Sequence, residues 1–341
     1  MSEKIGVLEF YKLSRSIPII DVRSPGEFET GHIPGAYNIP IFTNEERAIV
    51  GTIYKKQGKE PSVLKGLEIV GTKLRTFADT ARKLSVDNKI LVHCWRGGMR
   101  SASMAWLFET VGINTFILEG GYKAFRKYGK EQLANSKLIV LGGLTGSGKT
   151  ETLLEIRKNG EQVVDLEGLA HHKGSAFGAL GQEAQPTNEQ FENDLLYQWL
   201  SFGLSKPVWV EDESHSIGSN WLPSELYSLM RISPVIKMEI DKNFRIKRLM
   251  NEYASFNNNK LEQCILRIGK KLGGQNVKKA LESLENDNLE EVANITLAYY
   301  DKSYDFGLNK RENQTVFPIK LESDNPEENA KKIISFAKRA L

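Results

Sequence analysis

Short apolar runs bounded by glycine, proline or acidic residues alternate along this chain with longer stretches in which apolar residues recur every three or four positions. Pro18–Arg23 and Thr115–Leu118 predict buried strands, Asn88–His93 a further strand and Ala36–Ile39 a short one. Thr43–Leu84 predicts helix broken at Gly51, Gly58 and Gly66, and another helix starts at about Met99 and stops before Gly112. Lys137–Leu141, Gln162–Asp165, Pro207–Val210 and Pro234–Ile240 predict a second set of strands. Lys242–Lys279 reads as helix interrupted near Asn257–Asn259, and Leu281–Tyr304 as an acidic amphipathic helix. Phe317–Lys320 and Asn325–Leu341 then give a last strand and a closing helix. Such alternation predicts α/β architecture, with parallel sheets covered by helices. A chain of 341 residues is too long for one small core, so two domains are expected, 1–130 and 136–341, joined at Asn135-Ser136.

Two of the strands run into loops with chemistry. After Ile90–Val92 comes His93-Cys94-Trp95-Arg96-Gly97-Gly98-Met99-Arg100-Ser101. A strand–loop–helix turn lets successive N–H groups converge on an anion. The helix N-terminus with Arg96 and Arg100 favours a thiolate at Cys94, with Gly97 and Gly98 giving the loop its freedom. A thiolate in an anion cradle can attack or carry a transferred group, so Cys94 is the candidate nucleophile. The same spacing fits a cysteine-phosphatase loop. After Lys137–Leu141, the run Gly143-Leu144-Thr145-Gly146-Ser147-Gly148-Lys149-Thr150 satisfies the phosphate-loop pattern in its required strand-to-helix context. Gly143, Thr145, Gly146, Ser147 and Gly148 wrap a di- or triphosphate, Lys149 neutralises it, and Thr150 can hold Mg²⁺. Acids at the end of Pro207–Val210 are the other expected Mg²⁺ ligands, with Glu211 and Asp212 preferred. Adjacent histidines seldom share one ion, so His171-His172 reads as facing solvent or substrate.

Charge sharpens the picture. The chain is +3, but Lys242–Lys279 holds ten Lys or Arg against two Glu, which puts that segment at +8 and the remainder at −5. Such a block predicts a polyanionic partner, with Arg245, Lys247, Arg248, Arg267, Lys270 and Lys271 as contacts. The two cysteines, Cys94 and Cys264, form no disulfide framework and point to a reducing cytoplasm. Cys264 shares helical spacing with Leu261, Ile265 and Ile268 and reads as core. No signal peptide or membrane-spanning run is recognisable.

The stretch "DVRSPGEFETGHIPGAYNIP" at 21–40, followed by a cysteine loop, resembles a rhodanese domain, in which His32 would brace the loop. Rhodanese-like sequence joined to a P-loop NTPase-like α/β domain resembles the tRNA 2-selenouridine synthase family over nearly the whole chain. The motifs carrying this are "HCWRGGMRS" at 93–101, "GLTGSGKT" at 143–150, "DLEGLAHHKGSAFG" at 165–178, "QPTNEQFE" at 185–192, "VEDESHSIG" at 210–218 and "IGKKLGG" at 268–274. His215 departs from it, standing where an arginine is expected. The resemblance implies a transferase acting on the wobble 2-thiouridine of tRNAs for Lys, Glu and Gln. It would geranylate the 2-thio group with geranyl diphosphate, then replace geranyl-thio by selenium from selenophosphate, with Mg²⁺ at the phosphate loop and a selenophosphate-supplying enzyme as a possible partner. Cys94 would then handle selenium, and Arg96, Gly97, Gly98 and Arg100 the selenophosphate. Whether ATP or GTP binds stays open at this point. So do a cysteine phosphatase or sulfurtransferase fused to a kinase-like module, and a plain thiosulfate sulfurtransferase.

Overall fold

The computed structural model describes residues 2–311 and 315–341. The chain forms two compact units, one running to Gln132 and taking in Glu192–Ser201, the other made of Leu133–Phe191 and Phe202–Leu341. A division at 130–136 therefore omits one later segment, whose residues pack with the first unit.

The first unit is built on a five-stranded parallel sheet of β1 (Glu3–Ile5), β2 (Ile19–Asp21), β3 (Ala36–Asn38), β4 (Lys89–His93) and β5 (Asn114–Leu118), ordered β1-β5-β4-β2-β3. Ile20, Val22, Ile90 and Val92 face a core with Phe77, Met104 and Phe108. Burial on both sides explains why these strands read as continuous apolar runs. β1 was not foreseen, because it is a three-residue strand at the sheet edge with two residues exposed. The stretch 43–84 forms three helices, Asn44–Gln57, Lys59–Gly71 and Leu74–Leu84. Gly58 is a break, but Gly51 and Gly66 lie inside helices, contrary to expectation. At Gly66 the reason is packing, since an added Cβ would lie 3.3 Å from the Phe42 ring.

The second unit has a five-stranded parallel sheet of β6 (Leu138–Gly143), β7 (Gln162–Val163), β8 (Val208–Glu211), β11 (Val235–Glu239) and β12 (Val316–Lys320). Its order is β12-β11-β6-β8-β7, and a two-stranded antiparallel ribbon, β9 (Ser216–Ile217) with β10 (Asn220–Trp221), stands apart. The basic segment folds as the helices Lys242–Tyr253, Asn258–Leu272 and Gly274–Glu285. Asn257 caps the second of these by accepting from the Lys260 amide, which fixes the expected interruption. Together with the helix Leu289–Leu308 they enclose a core containing Leu249, Tyr253, Leu261, Cys264 and Leu297. No helix among the described residues is long and apolar enough to cross a membrane.

Candidate functional site

In the first unit the central strand β4 delivers His93 and Cys94 to the carboxyl end of the sheet, and the helix Met99–Thr110 starts five residues later. The Cys94 thiol is buried, with its Sγ 3.3 Å from the Gly98 N–H and 3.3 Å from the Ser101 hydroxyl. Behind the loop, the amides of Tyr122 and Lys123 donate to the carbonyls of Cys94 and Trp95. Gly121 makes that approach possible, since a Cβ there would sit 2.3 Å from the Cys94 carbonyl oxygen. Gly97 and Gly98 line this turn, and Arg96 is exposed beside it. Arg100 does not stand free as a cation for the loop, because its guanidinium bonds Glu27 Oε2 at 2.8 Å. Glu27 also forms a capping box with Ser24 and pairs with Arg47 at 2.9 Å. Burial works against its charge, but Arg100 above all holds its carboxyl down to about 2.

Beneath the loop lies a buried charge network that the sequence did not announce. Asp21 and Arg23 pair at 2.7 Å with neither side chain exposed, and the Arg23 guanidinium lies 3.9 Å from the centre of the Tyr122 ring. His93 lies 3.7 Å from Asp21, and burial pushes its pKa down, so it is neutral near pH 7. The signal available was the pattern Asp-Val-Arg at the end of a buried strand, two charges where a hydrophobic run stops. His32 stacks on Phe28 at 3.8 Å, and its carbonyl accepts from Asn193, which also donates to the Tyr122 hydroxyl.

In the second unit the central strand β6 runs into the phosphate loop, and Lys149 opens the following helix. Lys149 Nζ donates to the Gly143 carbonyl at 3.0 Å, and Thr150 donates to Glu167 Oε2 at 2.9 Å. The Ser147 hydroxyl is buried and has no partner among the described residues, which suits a loop made for a phosphate oxygen. The loop opens into a cavity of about 800 Å³ whose walls include Glu167, Glu213, Tyr227, Arg248, Lys271 and Tyr300.

The acids differ from expectation. Glu211 is fully buried and accepts from the Leu166 amide at 3.0 Å; burial, then the charge of Asp165, pushes its pKa well up. Its other oxygen, Oε1, is buried and has no partner among the described residues. Asp212 has both oxygens engaged, one by Arg311 at 2.6 Å and one by the Tyr304 hydroxyl at 3.0 Å. Glu167, from the helix Leu166–Ala170, is the carboxylate beside Thr150. No group of three or more His, Cys, Asp or Glu placed to hold a metal occurs among the described residues. Mg²⁺ ordinarily takes only one or two carboxylates alongside substrate phosphates, and Thr150 with Glu167 fits that pattern.

The basic residues divide. Arg245 is buried, pairs with Asp301 at 2.5 Å and donates to the Thr145 carbonyl at 2.9 Å, so it builds the phosphate loop and is not available to a nucleic acid. Arg248 pairs with Glu151 and Asp324 and lies against Gly148, where a Cβ would be 2.8 Å from its guanidinium. Lys247, Arg267, Lys270 and Lys271 are exposed. Arg245 could have been told apart in the sequence, because it shares a helix face with Ile246, Leu249 and Tyr253. His171 and His172 are half-buried; His171 Nδ1 meets the Ala184 carbonyl at 2.9 Å, and burial lowers the pKa of His172.

Comparison with known proteins matches residues 7–128 to the Rhodanese-like domain and residues 136–325 to the tRNA 2-selenouridine synthase AAA domain. A tRNA 2-selenouridine synthase of Shewanella woodyi is 35% identical over 88% of this chain and 90% of its own length. One of Shewanella frigidimarina is 34% identical over 93% of this chain and 96% of its own.

Proposed function

Because the chain belongs to the tRNA 2-selenouridine synthase family, we propose that it converts 2-thiouridine at the wobble position of tRNA into 2-selenouridine, in two steps served by its two loops. The observation carrying this reading is the presence in one chain of a thiol loop and a phosphate loop, each at the carboxyl end of a central parallel strand. A cysteine phosphatase or sulfurtransferase fused to a kinase-like module would also use both loops; the match of residues 136–325 to the tRNA 2-selenouridine synthase AAA domain favours the synthase.

A thiocarbonyl sulfur is a poor leaving group, and alkylation makes it a good one. In the first step the soft sulfur attacks the allylic carbon of geranyl diphosphate, the carbon–oxygen bond breaks, and diphosphate departs. The amides of Gly143–Thr150, the Ser147 hydroxyl and Lys149 face the oxygens on which that charge grows. Thr150 and Glu167 would hold Mg²⁺, which supplies further charge against the leaving diphosphate. In the second step the selenium of selenophosphate adds at C2, geranylthiol leaves with a proton, and water cleaves the selenium–phosphorus bond to release phosphate. Cys94, with the Gly98 amide and Ser101 hydroxyl on its sulfur, activates the bound selenophosphate, and Arg96 receives the selenophosphate charge. The exposed Lys247, Arg267, Lys270 and Lys271 bind the RNA backbone. The substrates are tRNAs for Lys, Glu and Gln, the setting is the cytoplasm, and a selenophosphate-producing enzyme supplies the second step.

Mass spectrometry of nucleosides from 2-thiouridine tRNA tests this directly. Incubation with the protein, geranyl diphosphate and Mg²⁺ gives a geranyl adduct, and selenophosphate then exchanges sulfur for selenium. Unchanged 2-thiouridine at both stages would remove the proposal.

A further inference from the structure

One rim of the phosphate-loop cavity is aromatic and rigid. The ribbon β9–β10 turns through Gly218 and Ser219, and Gln185 fastens it from below. Gln185 Oε1 accepts from the Ser219 amide at 2.8 Å, and its Nε2 donates to the Ile217 carbonyl at 3.0 Å and to the Asn220 side chain at 2.9 Å. Gly218, at φ +61°, packs so closely that an added Cβ would lie 2.1 Å from Gln185. On the other strand, the Trp221 amide donates to Asn188 Oδ1 at 2.5 Å. The backbone beneath Trp221 is therefore held on both strands, yet its indole is 54% exposed.

That indole does not stand alone. His215 meets it edge-on, with centroids 5.2 Å apart and planes at 81°, and Tyr227 packs against His215 in turn at 4.7 Å and 33°. Tyr227 lines the cavity together with Ser214, Ser216 and Gly218. Three rings thus run without a break from solvent to the space in front of the phosphate loop. The exposed residues flanking Trp221 in the chain, Gly218, Ser219 and Ser224, are small or polar, unlike the broad apolar surfaces that dock proteins.

We propose that Trp221, His215 and Tyr227 form a stacking platform for an unpaired base of the anticodon loop, next to the base that enters the cavity. This rests on the reading of the substrate as tRNA. Single-stranded bases are recognised chiefly by stacking on aromatic faces, and a rigidly mounted, exposed indole loses little freedom when a base covers it. The platform places one base while the phosphate loop places the geranyl donor, so the reacting sulfur is positioned from two directions.

The test uses the full chain and an anticodon stem-loop RNA carrying 2-thiouridine, with affinity read by fluorescence anisotropy. Replacement of one stacked base is worth roughly tenfold in affinity, so Trp221→Ala should weaken binding by about that factor while Trp221→Phe keeps most of it. Inorganic diphosphate binding, measured by calorimetry, should be the same in both variants. A stem-loop with an abasic nucleotide at one loop position should cost the unaltered chain a similar factor and cost Trp221→Ala nothing further. Affinity unchanged in Trp221→Ala, or lost equally in Trp221→Phe, would overturn the platform while leaving the tRNA reading intact. An unaltered chain that fails to bind the stem-loop at all would overturn both.

Discussion

The two loops occupy the same place in their sheets and are built from different distances along the chain. Cys94 leaves β4, which lies between β5 and β2, and the phosphate loop leaves β6, which lies between β11 and β8. In both, parallel neighbours direct the chain outward at the carboxyl edge and a helix N-terminus follows. The Cys94 loop is then held by a turn fewer than thirty residues further on, at Gly121–Lys123. The phosphate loop is held by Arg245, Asp301 and Tyr304, about 100 to 160 residues later. Its charges differ too. Arg96 stands exposed beside the thiol, whereas Arg245 and Arg248 already have carboxylate partners. Similar positions therefore give one loop that the sequence spells out locally and one whose shape depends on the basic helices.

The sharpest way to break that comparison is to disable each loop alone. Cys94→Ser should reduce selenium incorporation on the order of 10³-fold or more while geranylation continues. Lys149→Ala should do the reverse, lowering geranylation by roughly 10²–10³ while RNA that already carries the geranyl group is still selenated. Nucleoside mass spectrometry reads both, and a variant that stops both steps equally would show that the loops do not divide the reaction.

Arg245 and Lys270 come from the same basic segment and should separate next. Arg245→Ala leaves the half-buried Asp301 and the Thr145 carbonyl without their partner, so thermal unfolding should show a loss of about 1–3 kcal/mol, the usual cost of stranding a partly buried polar group. Lys270→Ala should leave the melting temperature in place and reduce the salt dependence of tRNA affinity by about one counterion.

The smallest effect concerns Glu211. A carboxyl whose pKa is raised in the folded chain contributes stability that is complete below the ordinary value of 4.5 and is withdrawn as pH climbs. Glutamine cannot ionise, so Glu211→Gln should match the unaltered chain near pH 4 and become the more stable of the two as pH rises, seen as a widening gap in melting temperature. A cation ligand at this position would give the opposite result, a loss of geranylation with no such gap.

What was legible in the sequence follows from range. The strands at 88–93 and 137–141 and the helices after them are set by local periodicity and glycine spacing, and the structure has the strands at Lys89–His93 and Leu138–Gly143. Side-chain engagement was not legible. Asp212 and Glu211 adjoin in one acidic run, but only the fold shows that Arg311 and Tyr304 occupy the first and that the second points into the core. Likewise Glu167 reaches Thr150 from the short helix Leu166–Ala170, seventeen residues along the chain. Arg100 could not be assigned to Glu27 from a separation of 73 residues.

The segment Glu192–Ser201 has a consequence for how such a protein is inherited. Asn193 bonds the Tyr122 hydroxyl and the His32 carbonyl, two positions in the half that carries Cys94, yet it is encoded inside the half that carries the phosphate loop. A gene cut at the natural-looking join would leave the first product without that clasp. Exchange of the two halves at that join would separate Tyr122 and His32 from the residue that bonds them.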